Sequence, residues 1–193
     1  MRFTQSLIAL SLILVSLTAH AVNPHVVMKT NLGDITFELY PEKAPKTVEN
    51  FLKYVEDGFY KNTVFHRVIA NFMIQGGGFD SSLKQKPTRS PIENEAGNGL
   101  TNQAGTIAMA RTSDPHSATA QFFINVANNT FLNFTAPNQN GYGYAVFGKV
   151  IGGMEIINKI AGTPTSAGGP FPGDVPKNSI VIEDIVLLPI TTK

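Results

Sequence analysis

The chain has 193 residues, with 15 Lys and Arg against 14 Asp and Glu, and it contains no cysteine. A formal net charge of +1 without runs of basic residues does not favour nucleic acid or an anionic membrane as partner. The lack of cysteine excludes a thiol nucleophile, a disulfide framework and cysteine-ligated zinc.

The N-terminal segment has the pattern of a secretory signal peptide. Arg2 supplies a basic start, residues 7–17 form an apolar stretch, and Ala19-His20-Ala21 places small residues where signal peptidase cleaves. We therefore expect residues 1–21 to be removed after Ala21 and residues 22–193 to form one domain in the periplasm. The remaining sequence has no apolar segment long enough to span a bilayer, so no membrane insertion is expected.

Short apolar segments rich in Val, Ile and Phe alternate with Gly and Pro along the rest of the chain, which predicts β-strands. The predicted strands are residues 26–30, 34–40, 63–69, 72–75, 106–110, 121–126, 145–150 and 180–188. The first two flank Asn31-Leu32-Gly33, which predicts a hairpin.

Two segments predict helices. In residues 45–57, Val48, Phe51, Leu52 and Val55 recur with helical spacing, and a proline and a glycine mark the two ends. Residues 153–161 carry a shorter apolar stripe. About eight short strands and two helices predict a mainly β fold, a closed β-barrel with two helices against it.

Two glycine-rich segments lack the residues that a phosphate-binding loop needs, and each predicts a turn: Gly76-Gly77-Gly78 and Gly97-Asn98-Gly99. The four histidines, at positions 20, 25, 66 and 116, lack metal-ligand spacing. We expect neither a metal nor another cofactor.

Two polar groups invite catalytic interpretations. Asp114, His116 and Ser117 lie too close together in sequence for a catalytic triad, whose members converge from separate elements, so they predict a turn. Glu93 and Glu95 could share one face of an extended segment, which leaves a glycoside hydrolase open as an alternative.

Arg67 is a permanent charge in an otherwise apolar segment, with no acidic residue nearby in sequence. Its stem could pack on the core while its head reaches water or a distant carboxylate. Alternatively, it could serve a reaction without proton transfer, such as rotation about an Xaa-Pro amide, whose barrier is about 18–20 kcal/mol. A twisted amide nitrogen gains a lone pair, to which a fixed guanidinium can donate beside an apolar pocket.

Four motifs follow one another along the chain. They are Phe65-His66-Arg67 with residues 72–77, residues 105–111, residues 117–124 and residues 146–150. In these motifs the sequence resembles the cyclophilin family of peptidyl-prolyl isomerases, and specifically its bacterial periplasmic branch. The resemblance implies a closed eight-stranded antiparallel β-barrel capped by two α-helices, with the active groove on its outer surface. It also implies that the protein assists the folding of exported proteins, with proline-containing unfolded or extended polypeptides as its partners. We expect a monomer.

The resemblance also implies the site residues. Arg67 would be catalytic, and Phe72, Met73, Phe123 and Leu132 would line the proline pocket. Gln75 would hold the arginine and the substrate amide in register, Ala110 and Arg111 would offer backbone to the peptide, and Gln121 would lie beside them.

Two positions depart from the common cytosolic pattern of that family. Phe131 stands where tryptophan is usual and would keep an aromatic wall for the prolyl ring. Tyr144, found by counting back from residues 146–148, stands where histidine is usual at the far rim of the groove. Both would contact the substrate. His66, although next to the arginine, is expected to be a packed structural residue. A binding module that holds polypeptides in the same groove remains the alternative function.

Overall fold

The strands and helices follow each other in the order that the sequence predicts, with one hairpin added. The computed structural model describes residues 22–189, so the predicted signal peptide lies outside the described residues. The elements are β1 His25–Thr30, β2 Gly33–Leu39, α1 Pro45–Glu56, β3 Thr63–Ile69, β4 Met73–Asp80, β5 Thr106–Met109, β6 Phe122–Asn125, β7 Val146–Gly152, α2 Met154–Ala161, β8 Thr165–Gly168, β9 Phe171–Pro176 and β10 Val181–Leu187. The predicted bounds agree within two residues, except for β4.

Eight of the strands close into an antiparallel barrel in the order β1-β10-β3-β4-β6-β5-β7-β2, which confirms the predicted fold. Strands β8 and β9 form a separate two-stranded sheet that the sequence analysis missed. Their segment, TSAGGPFPGDVP, has too many glycines and prolines for a strand pattern to be recognised. None of the helices within residues 22–189 has the length and apolar character needed to cross a membrane.

Both helices bury one face against the barrel interior, as their spacing predicts. On α1, Phe51 is fully buried, and its ring centroid lies 5.2 Å from those of Tyr60 and Phe147. Helix α2 contributes Ile157 and Ile160 to the same core cluster. The sequence patterns of strands and helices therefore meet in one apolar core, which is the main source of stability in a cysteine-free chain.

The predicted turn at residues 76–78 is wrong, because these glycines lie inside β4. A Cβ at Gly77 would lie 2.6 Å from the Phe122 ring, and a Cβ at Gly78 would lie 2.3 Å from the Gln121 side chain. Glycine is therefore needed here for the close approach of neighbouring side chains within a strand rather than for a change of direction.

Strand β3 contains a bulge at His66. Phe65 pairs with Gly76 and Arg67 pairs with Gln75, so His66 is an extra residue that faces no partner on β4. The bulge leaves His66 and Arg67 both outside the barrel.

Hairpin β8–β9 covers His66 but leaves Arg67 exposed. The His66 ring stacks on Phe171 at 5.2 Å and contacts Phe79 at 4.5 Å, and only 2% of the residue is exposed. The expectation of a packed histidine is confirmed.

Gly77 provides a test of close packing inside β4. Both Gly77 and Gly58 have positive φ, of 79° and 63°, but a Cβ at Gly58 would meet nothing within 4 Å. We expect Gly58→Ala to lower the free energy of unfolding by about 1 kcal/mol, from backbone strain alone. Gly77→Ala should lower it by about 2–4 kcal/mol because the methyl group also overpacks the core. Urea denaturation of both variants checks this, and equal losses would contradict it.

His66 should make stability depend on pH. Burial lowers the pKa of His66 from 6.5 to about 4 in the folded protein. Between these values the unfolded chain binds a proton that the folded protein does not, so stability falls as pH falls from about 6.5 to about 4. This contribution is about 3 kcal/mol at most. His66→Leu removes the titrating group, so urea denaturation across this range should show a shallower pH dependence than in the wild type. Parallel curves would contradict the assignment.

Candidate active site

One cross-strand row of residues on the outer face of the barrel forms the floor of the site. Arg67 on β3 pairs with Gln75 on β4, Gln75 pairs with Phe123 on β6, Phe123 pairs with Ala108 on β5, and Ala108 pairs with Val146 on β7. Since strands lie about 4.8 Å apart, this register fixes the spacing across five strands. The guanidinium therefore stands at one end of a row whose other end is apolar.

Strand alternation separates this floor from the barrel interior. Phe122 and Ile124 point into the main core, whereas Phe123 between them points outward. Outward-facing side chains form a second, smaller buried cluster with Met73 and Ala108 at its centre. The groove predicted on the outer surface thus has its own apolar support.

Nine of the residues predicted for the site line a single cavity of about 200 Å³ above this floor. They are Arg67, Phe72, Met73, Gln75, Ala110, Arg111, Phe123, Leu132 and Tyr144. The lining combines an apolar base with two guanidinium groups and one amide. Such a cavity suits a small apolar ring with a polar group at its edge.

Gln75 and Gln121 form a pair at the edge of the cavity. The Gln75 Nε2 donates to Gln121 Oε1 at 3.0 Å, and Gln121 itself does not line the cavity. In the described residues, the side-chain partner of Arg67 is Asp174 rather than Gln75. The Ala110 N–H donates to the Gln121 carbonyl at 2.9 Å, so this backbone donor is used within the fold.

Arg111 and Tyr144 form the opposite wall of the cavity. The Arg111 Nε donates to the Gly143 carbonyl at 2.9 Å, and its guanidinium carbon lies 4.6 Å from the centroid of the Tyr144 ring. The Tyr144 ring in turn meets Phe123 edge-on at 5.5 Å. The alignment of Tyr144 with the family pattern rests only on the motif that follows it, residues 146–150. The structure places Tyr144 in the cavity wall.

Phe131 lies at the edge of the site and not in its wall. Its side chain stacks on Phe72 with ring centroids 5.6 Å apart, yet 74% of the residue is exposed. The residue belongs to a short 3-10 turn, Thr130–Leu132, which turns Leu132 toward the cavity and Phe131 toward solvent. An aromatic wall contributed by Phe131 is therefore not found in this structure.

A network of buried amides behind the cavity was missed by the sequence analysis. Asn125, at the end of β6, is fully buried, and its Nδ2 donates to Asn102 Oδ1 at 3.1 Å and to Thr106 Oγ1 at 2.9 Å. Its Oδ1 accepts from Asn129 Nδ2 at 2.7 Å. The signal in the sequence was an asparagine at the end of an apolar strand, where a buried amide needs partners.

This network ends on backbone carbonyls of the cavity wall. Asn129 Nδ2 donates to the Phe72 carbonyl at 2.9 Å. Asn102 Nδ2 donates to the Leu132 carbonyl at 3.1 Å and lies 3.4 Å from that of Tyr144. Three separate wall segments are therefore held by one set of buried hydrogen bonds, which is how loops acquire a fixed geometry.

Arg67 meets a carboxylate that is far away in sequence. Its Nε lies 3.5 Å from Asp174 Oδ2 on β9, and about 45% of each side chain is exposed. Arg67 therefore lines the cavity and also reaches a distant carboxylate, and the second contact is the one that the first interpretation of the sequence expected. Sequence reasoning missed Asp174 because it lies in the unrecognised hairpin.

The other polar groups have structural roles. Ser117 Oγ donates to the Asp114 carbonyl at 2.6 Å, and the His116 N–H donates to Asp114 Oδ1, which forms the predicted turn. Glu95 accepts from the Thr47 N–H at 2.8 Å at the start of α1, and Glu93 pairs with Lys46. The two carboxylates thus serve the helix N-terminus, where negative charge is favoured. Within residues 22–189, no three His, Asp or Glu side chains form a metal-binding group.

Comparison with known proteins agrees with this geometry. Residues 25–187 match the family model of cyclophilin type peptidyl-prolyl cis-trans isomerase/CLD. The chain is 55% identical to peptidyl-prolyl cis-trans isomerase B of Escherichia coli K12 over 162 residues, which cover 84% of this chain and 98% of that protein. It is 55% identical over 177 residues to a peptidyl-prolyl cis-trans isomerase of Acinetobacter baylyi, covering 91% and 92% of the two chains.

Solved structures show the same fold. A cyclophilin type isomerase of Cryptosporidium parvum superposes with a TM-score of 0.73 at 32% identity, covering 88% of this chain and 99% of that one. A structure of the same protein in the presence of the dipeptide Ala-Pro gives a TM-score of 0.72 at 33% identity, covering 86% and 99%. With the barrel, the outer cavity and these matches in agreement, the chain belongs to the family of cyclophilin-type peptidyl-prolyl cis-trans isomerases.

Proposed function

We propose that Arg67 is the catalytic residue of this isomerase and acts by stabilising the twisted Xaa-Pro amide. The observation that carries the proposal is the position of Arg67 at the wall of a cavity whose base is apolar. Phe72, Met73, Phe123 and Leu132 receive the prolyl ring there. The guanidinium of Arg67 then lies beside the prolyl ring, at the polar edge of the cavity.

The chemistry follows from the electronic change on rotation. A planar amide nitrogen shares its lone pair with the carbonyl, whereas a twisted one becomes pyramidal and accepts a hydrogen bond. An arginine N–H placed at that nitrogen binds the transition state better than either planar isomer, and this difference lowers the barrier. Gln75 presents its amide group to the peptide beside the ring, and the hydrogen bond to Gln121 holds that amide in place. Arg111 and Tyr144 close the other side of the cavity.

The two alternatives from the sequence receive less support. A hydrolase built on Glu93 and Glu95 would need both carboxylates free, but these groups pair with Lys46 and with the first turn of α1. A module that only binds polypeptides would need the apolar wall but not a guanidinium at its edge. The placement of Arg67 therefore favours catalysis.

Replacement of Arg67 tests the mechanism directly. We expect Arg67→Ala to lower kcat/KM about 10²–10³-fold, by analogy with the loss of one preorganised donor at an oxyanion. Binding of a proline peptide should change much less, because the apolar wall remains. A coupled assay of cis-to-trans conversion on a proline tetrapeptide, together with peptide titration, measures both quantities.

The matched control is Arg89→Ala, which also removes one exposed arginine that pairs with an aspartate, here Asp57. This variant should keep wild-type turnover. Full activity of Arg67→Ala, or an equal loss in both variants, would reject Arg67 as the catalytic residue.

We further propose that the enzyme acts as a monomer in the periplasm on unfolded, exported polypeptides. The proposal is supported by the signal-peptide pattern of residues 1–21 and by the lack of cysteine in the chain. Extended chains offer proline residues that a folded protein conceals, and their Xaa-Pro bonds isomerise in tens to hundreds of seconds without a catalyst. An isomerase in that compartment would shorten this step for newly exported proteins.

Mass spectrometry tests the export. Expression of the full chain in a Gram-negative host should yield periplasmic protein that begins Val22-Asn23-Pro24, because cleavage is expected after Ala21. A variant with Ala19 and Ala21 replaced by leucine is the control and should remain uncleaved. Recovery of the full-length wild-type chain from the cytosol would contradict the proposal.

A further inference from the structure

Arg67 needs an orienting contact if it is to act as a fixed donor. Its backbone is held by the pairing of β3 with β4, but about 44% of its side chain is exposed and the stem has several rotatable bonds. Electrostatic catalysis requires donors that are aimed before the reaction begins. A contact on Nε would fix the plane of the guanidinium and leave both terminal NH₂ groups free.

Asp174 provides such a contact. Its Oδ2 lies 3.5 Å from the Arg67 Nε, and Asp174 itself does not line the cavity. The carboxylate therefore meets the guanidinium on the side away from the substrate. Its role would be to orient the donor rather than to touch the peptide.

The hairpin is built so that Asp174 protrudes toward β3. Ser166 pairs with Val175 and Gly168 pairs with Phe171, so the three residues 172–174 on β9 stand opposite the single residue 167 on β8. This bulge projects from the hairpin. Asp174 has a φ of +65°, a left-handed conformation that costs glycine nothing and that aspartate and asparagine tolerate at a smaller cost than most other residues.

Packing on both sides of Asp174 fixes its position. Phe171 stacks on His66, the residue before Arg67, and Val175 is buried. The β3 bulge therefore presents two successive side chains to the hairpin. Phe171 packs on the first of them, His66, and Asp174 forms an ion pair with the second, Arg67.

We propose that Asp174 is a positioning residue, which the β8–β9 hairpin holds against the Nε of Arg67 so that the guanidinium faces the substrate amide. This inference rests on the proposed function of Arg67. The pair is half exposed, and exposed ion pairs contribute modestly. The expected effect on turnover is therefore small compared with the loss of Arg67 itself.

Two substitutions separate orientation from backbone strain. Asp174→Asn keeps the shape and the tolerance of positive φ but removes the charge, whereas Asp174→Gly removes the side chain and relieves the strain. We expect the rate of cis–trans exchange of a saturating proline peptide, measured by NMR, to fall about two- to fivefold in both variants. The peptide Kd should change less than about twofold. Urea denaturation should show that Asp174→Gly is at least as stable as the wild type.

Three further measurements make the assignment specific. The ¹⁵Nε–H group of Arg67 should show a lower NMR order parameter in Asp174→Asn than in the wild type, which a purely structural role of the aspartate would not produce. Adding Asp174→Asn to Arg67→Ala should cause no further loss of rate. Asp34→Asn, which removes an exposed carboxylate from β2 outside the cavity, should behave as wild type.

The outcomes distinguish this inference from the proposed function. If Arg67→Ala is impaired while both Asp174 variants turn over at the wild-type rate, Asp174 is not a positioning residue. An equal effect of Asp174→Asn in the presence and absence of Arg67 also overturns the inference. Full activity of Arg67→Ala would instead reject the proposed function, and the inference would fall with it.

Discussion

The bulge at His66 is the constraint on which the site depends. In a regular strand, His66 and Arg67 would point to opposite faces, and one of them would enter the barrel. Because Phe65 and Val68 on either side both reach the core, the two residues between them are left together on the outside. The imidazole is then available as a docking surface for hairpin β8–β9, and the guanidinium is left at the cavity. Neither a regular strand nor a loop would supply this arrangement from adjacent residues.

The rest of the site combines a rigid floor with walls that are made from irregular segments. The floor is fixed by strand register, so its precision comes from the barrel itself. The walls come from the segments around Phe72, Leu132 and Tyr144, which have no ladder of their own. Their carbonyls are instead bound by Asn102 and Asn129 through buried amides. A buried polar network of this kind is costly when incomplete, so it favours a single arrangement of the walls.

Local patterns in the sequence were sufficient for the barrel and for most of the cavity lining. Strand alternation and helical spacing each involve a few consecutive residues, and the family motifs identify positions such as Arg67 and Phe123. Features that depend on distant partners could not be predicted in this way. Glycine is needed at position 77 because the Phe122 ring lies close to it, and Asn125 finds its amide partners only after folding. Asp174 lies in a hairpin whose sequence does not have a strand pattern. Phe131 stacks on Phe72 at the edge of the cavity, because a single turn decides which of two neighbouring side chains, Phe131 or Leu132, faces the cavity.

The order of strands in the barrel has a consequence for how the chain acquires its structure. Strand β10 follows all the other barrel strands in the sequence, yet it lies between β1 and β3, with Val26 opposite Leu187. During synthesis the last strand therefore emerges after all the others, and until then β1 and β3 each lack a neighbour. Pairings between strands so far apart in sequence are slow to form, and strand edges without a neighbour are prone to aggregation. The barrel consequently cannot close on the ribosome until β10 has been synthesised, so the chain passes through a stage in which all the other barrel strands exist without a closed barrel.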